Sequence, residues 1–125
     1  MLSGFDLITL SNEGISKASF EALAGHIGLS KKSFAEDILS ISVKTIERKK
    51  SAERLDKRTS SHIIEIARVA EHAIAVFEDE AKAIKWLNTP NRALNNLKPV
   101  ELLSTYTGIG MVDDILGRIE EGVYS

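Results

Sequence analysis

A chain of 125 residues with 43% apolar content can bury one compact core, or two small ones, without staples. The absence of cysteine excludes a disulfide framework, a thiolate metal site and a cysteine nucleophile, and makes a reducing cytoplasm the expected location. A formal net charge of −2 argues against blanket adhesion to nucleic acid, and no apolar run nears the roughly 20 residues that span a bilayer.

Residues 1–10 lack the basic start and small-residue cleavage site of a signal peptide, so no membrane association is expected. Phe5, Leu7, Ile8 and Leu10 form too short and irregular a run to assign, and residues 1–14 read as an arm or short extended segment. Ser16 or Ser19 can cap a first helix reaching about Ile27, with Phe20, Leu23, Ala24 and Ile27 at the i, i+3, i+4, i+7 spacing of a buried stripe. Gly28 stops it.

A second short helix follows Ser30, buries Phe34, Ala35 and Ile38, and gives way at Ser40 to a third, capped by Ser42 and running from Val43 to about Lys50. Residues 59–77 carry the longest helical pattern, with Ile63, Ile66, Ala67, Ala70, Ile74 and Phe77 on one apolar face. Asp79 starts another helix ending near Trp86 and Leu87. Thr89 is then placed to cap, and Pro90 to open, a short successor, a start signal that Lys98-Pro99 repeats. The last helix is expected over residues 110–121, burying Val112, Ile115, Leu116 and Ile119, with Gly122 as terminator. The fold class is all-α. Trp86, Leu87, Leu94, Leu97, Leu102 and Leu103 are expected in its core, with Gly108 and Gly122 permitting turns.

Charge is divided along the chain. From Lys44 to Arg58 seven basic residues face three acids, whereas beyond Phe77 eight acids face five bases, which points to two different partners. In the basic stretch, residues 35–49 look like a helix-turn-helix. Ala35 lets two helices cross closely, the turn at Leu39 to Ile41 sets their angle, and Ile41 and Ile46 fill the wedge. Ser42, Lys44, Thr45 and Arg48 are left outward, where arginine can read guanine bidentately and hydroxyls can hold phosphate, with Lys49 and Arg54 holding the backbone. Ser40 stands where the usual turn has glycine, and the bland alternative is a solvated basic helix on an ordinary bundle.

Catalysis finds little support. His62 and His72 lie ten apart, not at the i, i+4 spacing of a helical metal pair; with His26 they read as surface or core-edge groups. Glu78-Asp79-Glu80 reads as a charged helix start, and Gly108-Ile109-Gly110 lacks the third glycine and the preceding strand of a dinucleotide site, so it reads as a turn. No enzyme, metal or cofactor is expected.

The joint order of the basic helix-turn-helix, Trp86-Leu87-Asn88-Thr89-Pro90-Asn91, Pro99-x-x-Leu102-Leu103-x-Thr105 and Leu116-x-x-Ile119-x-x-Gly122 resembles the Xre/MbcA/ParS family of type II antitoxins, over roughly residues 16–125. The resemblance implies residues 1–58 as an arm and helix-turn-helix region and 59–125 as a connecting helix with a small helical toxin-binding domain. It implies a RES-domain toxin acting on NAD as partner, its active site obstructed by the antitoxin's C-terminal end, and autoregulation through operator DNA as a homodimer. Arg118, Glu121, Tyr124 and Ser125 are the candidate toxin contacts on that carry-over, since a terminal aromatic with nothing further to pack it suits a partner's cleft. Asn91 is a further candidate, alongside a local role in its turn. The runner-up is a helix-turn-helix regulator whose C-terminal domain only dimerises.

Overall fold

The computed structural model describes residues 10–122. The described residues are helical with no named strand, in the order α1 (Lys17–His26), α2 (Lys31–Ser33, widening into a π turn at Phe34–Ile38), α3 (Val43–Glu47), α4 (Lys57–Phe77), α5 (Glu80–Leu87), 3-10 turns at Arg92–Leu94 and Pro99–Ser104, and α6 (Tyr106–Glu120). Most starts follow side-chain chemistry. Ser16, Ser30, Ser42, Asp56, Asp79 and Thr105 each accept an amide of the first turn they open, filling donors that no helical carbonyl can reach.

Four expectations are corrected here. Residues 10–13, within the supposed extended arm, are helical. The third helix stops at Glu47 rather than near Lys50, and α6 starts at Tyr106 because Thr105 supplies a cap, accepting from the Gly108 amide at 3.0 Å. Gly108-Ile109-Gly110 is therefore first-turn helix rather than a loop. The Thr89-Pro90 start does not occur: Thr89 Oγ1 donates back to the Lys85 carbonyl, and Asn91 caps the 3-10 turn that follows.

The long helix α4 is the spine, packed against α5, α6 and α1. Because neighbours cover it on more than one side, Ile64, Val69 and Ala73 are buried beside Ile63, Ile66 and Ala70. Ala67, Ile74 and Phe77 sit at the margin, half-buried. One core runs from Phe20 to Leu116, and the phenyl rings of Phe20 and Phe34 stack in it with centroids 5.0 Å apart. Burying a ring of that size contributes about 1.5–3 kcal/mol. Leu87, Leu94 and Leu103 join the core and Trp86 and Leu102 flank it, but Leu97, expected inside, is 46% exposed where it pairs with Asn91 to close its loop.

Two segments far apart in the chain are stitched together at α1 and α5. Asn88 Nδ2 donates to the Ile27 carbonyl at 2.9 Å, His26 Nδ1 meets Glu80 Oε1 at 2.8 Å, and Gly28, at φ +72°, leaves room for Ile84 and Asn88.

Candidate functional site

The helix-turn-helix is built from three local devices. The π turn lets the Ile41 amide reach back to the Ala35 carbonyl at 2.9 Å, closing α2 with Ala35 fully buried. Ser40 then takes the left-handed backbone, φ +58°, so the turn forms there without glycine. Finally α3 is capped from two directions: Ser42 Oγ accepts from the Lys44 amide at 3.3 Å, and Glu36 Oε2 accepts from the Val43 amide at 3.2 Å. The Glu36 contact joins the two helices of the motif across the turn. Sequence spacing gave no sign of it, since seven residues separate the partners.

Ile46 is buried and Ile41 half-buried in the wedge, which turns Lys44, Thr45 and Arg48 to solvent on the opposite face of α3, with Ser42 exposed at its start. Lys49 is half-buried beyond the helix end. Arg54 sits apart from this face: its Nη1 donates to the Gly14 carbonyl at 2.6 Å, beside the Ser16–Arg54 bridge that ties the segment before α1 to the segment before α4.

The C-terminal candidates are divided. Arg118 and Glu121 lie exposed in the last turn of α6, three residues apart and so on one side of it. Tyr124 and Ser125 lie outside the described residues. Asn91 organises its loop: its Oδ1 accepts from the Ala93 amide at 2.9 Å, its carbonyl accepts from Leu94 and Asn96, and its amide donates to Leu97.

All three histidines link distant segments, which their sequence neighbours did not reveal. Besides His26 with Glu80, His62 Nε2 lies 2.8 Å from the Leu103 carbonyl with its ring against Tyr106, and His72 bridges two carboxylates of α6. His72 Nδ1 is 2.6 Å from Asp113 Oδ1 and Nε2 is 3.3 Å from Glu120 Oε1. Partial burial opposes the charged imidazolium, but the hydrogen bonds to Asp113 and Glu120, reinforced by their charge, prevail and raise its pKa above the ordinary 6.5. Beside this bridge a shallow depression between α4 and α6 is walled by Arg68, Tyr106 and Asp113. Among the described residues no group of three or more histidines and carboxylates is arranged to hold a metal ion.

Residues 6–68 match the model of the antitoxin Xre-like helix-turn-helix domain, and residues 72–122 that of the antitoxin Xre/MbcA/ParS C-terminal toxin-binding domain. The chain belongs to the Xre/MbcA/ParS antitoxin family. Its all-α architecture is that family's pair of an N-terminal helix-turn-helix and a C-terminal toxin-binding domain, and the seam between the two matched segments falls inside α4. An antitoxin Xre of Yersinia enterocolitica is 40% identical over 73 residues, covering 58% of this chain and 49% of that protein. An antitoxin Xre of Photorhabdus laumondii is 37% identical over 67 residues, covering 53% and 45% respectively. The chain thus matches somewhat under half the length of each of these relatives. The crystal structure of the M. tuberculosis MbcT–MbcA toxin–antitoxin complex holds a chain of the same fold, with TM-score 0.61 and 24% identity over 87% of this chain and 96% of that one.

Proposed function

We propose that this antitoxin-family chain neutralises a toxin through its C-terminal half and binds operator DNA through α3, regulating its own operon. The toxin is a RES-domain enzyme acting on NAD, and the C-terminal region covers its active site. The observation that carries this reading is the pairing, in one chain, of an exposed Lys44, Thr45 and Arg48 face on a doubly capped helix with a 72–122 segment matching the toxin-binding domain. On the DNA side Ser42, Lys44, Thr45, Arg48 and Lys49 meet base edges and phosphates, Arg54 assists at the backbone, and two copies of the chain address two half-sites as a homodimer. On the toxin side Arg118 and Glu121 lead from the end of α6 toward Tyr124 and Ser125, with Asn91 as a further contact. Two observations support the division of labour: the local excess of four positive charges in residues 44–58, and the net acidity beyond Phe77.

The test is co-expression with the product of the adjacent gene, scoring growth rescue and co-purification for the full chain and for one ending at Ile119. Rescue and retention by the full chain alone support neutralisation by the C-terminal end. Rescue by the shortened chain removes residues 120–125 from the mechanism. A neighbour that is neither toxic nor retained leaves the regulator whose C-terminal domain only dimerises.

A further inference from the structure

Helix α3 is only five residues long, Val43–Glu47, too short to hold its shape by its own hydrogen bonds. Its start is fixed by Ser42 and Glu36, as described. Its end presents carbonyls with no helical successor to donate to them. The carbonyl of Glu47, its last residue, and that of Lys49, two residues beyond it, receive hydrogen bonds from a single side chain thirty or so residues away: Lys17 Nζ donates to them at 3.2 and 2.9 Å. A cation at this spot also meets the negative end of the aligned peptide dipoles.

The root of that side chain is itself anchored. The Lys17 amide donates to the Glu53 carbonyl at 2.9 Å, and the next amide, of Ala18, to the Ser51 carbonyl at 3.0 Å. Lys17 is half-buried, and among the described residues its ammonium forms no ion pair; both its hydrogen bonds go to main-chain carbonyls. A lysine spent on carbonyls behind a short helix acts on that helix's direction rather than as one more surface charge.

We propose that Lys17 is the positioning residue of the DNA-reading helix: it fixes the C-terminal end of α3, and so the aim of Lys44, Thr45 and Arg48, without itself meeting DNA. This rests on the DNA-binding reading above. Base-edge contacts demand tight distance and angle, whereas attraction to phosphates tolerates a loosely held helix. Loosening α3 therefore costs sequence preference before it costs general affinity.

The experiment compares Lys17→Met, which keeps the apolar stem, and Lys17→Arg, which keeps the cation, with the unaltered full chain. Two readouts are taken: hydrogen exchange at the Arg48 and Lys49 amides, which close α3 onto Lys44 and Ile46, and affinity across a salt series. The probes are a duplex from the region immediately upstream of the protein's own gene and a shuffled duplex of equal length. Lys17→Met is expected to speed exchange at both amides about five- to tenfold, the scale of a lost helix cap. It lowers affinity for the upstream duplex about tenfold while shuffled-duplex affinity and the salt slope hold, and Lys17→Arg restores most of both effects.

Unchanged exchange overturns the clasp. Equal loss on both duplexes with a salt slope shallower by about one makes Lys17 a phosphate contact and overturns the positioning role. An unaltered chain that binds the two duplexes alike sinks the DNA reading itself and takes the recognition role with it, while the exchange result still judges the clasp separately. If Lys17→Met fails to fold, Lys17→Ala, which likewise removes both the cation and the donors, is held to the same criteria.

Discussion

Gly108, in the first turn of α6, approaches the backbone of Leu102 so closely that a β-carbon placed on it overlaps the Leu102 carbonyl oxygen. The obstacle is main chain, which cannot rotate aside as a side-chain tip would. Gly108→Ala is therefore expected to destabilise by about 1–3 kcal/mol, the cost of overpacking, despite alanine's better helix propensity. Gly110 and Gly117 share the helix with open space where a β-carbon would stand. Alanine at either should stabilise by about 0.5–1 kcal/mol. Urea unfolding of the three variants decides it; similar midpoints for Gly108→Ala and Gly110→Ala would refute the steric account.

Ser60 is fully buried at the start of α4, accepting from the Ile15 amide at 2.7 Å and donating to the Leu55 carbonyl at 3.3 Å. Its hydroxyl thus bonds the segment before α1 to the chain entering the spine. Ser60→Ala strands a main-chain donor and is expected to cost about 1–3 kcal/mol, read as a lowered thermal midpoint. A loss under a few tenths would mean that solvent reaches Ile15 unaided.

The His72 bridge makes a prediction about pH. Its folded pKa lies above the ordinary 6.5, so the contribution is fully present below 6.5, with the carboxylates still ionised, and is lost as pH rises through the raised value. Asp113 and Glu120 are half-exposed, so the effect is modest, about 1 kcal/mol at most. The stability gap between the natural chain and His72→Gln should shrink from pH 6 to pH 8.5 in parallel urea titrations. A gap that is flat across that range counts against the bridge.

Ser40 holds the helix-turn-helix at φ +58°, a region glycine occupies without penalty. Ser40→Gly relieves that strain but frees the unfolded chain, and the balance should favour the variant by up to about 1 kcal/mol. Denaturant midpoints check the sign, and a clearly lowered midpoint would show that the serine contributes more than its backbone angle.

Much of this fold was legible because each helix carries its start in a single residue. Ser16, Ser30, Ser42 and Asp79 are short polar side chains before an apolar period, and each caps the helix it introduces. The misplaced starts have the same origin. Thr89 before Pro90 resembles a cap as strongly as Thr105 does, and only the path of the chain decides that Thr89 turns back onto Lys85 while Thr105 turns forward onto Gly108. Contacts across the fold left no trace in spacing: Glu36 to Val43 spans a turn, Lys17 to Glu47 joins two helices, and His72 meets acids some forty or more residues on. The exposed face of α3 was legible from the alternation around Ile46, whereas the bond of Arg54 to the Gly14 carbonyl depends on where Gly14 lies.

The spine α4 begins beside the helix-turn-helix, ends among the C-terminal helices, and contributes to one uninterrupted core along the way. Such a chain has no place to fray in the middle. Whatever its two ends hold, they are gained together when it folds and forfeited together when it is unravelled, so a cell that degrades this protein would surrender both of the tasks proposed for it in the same event.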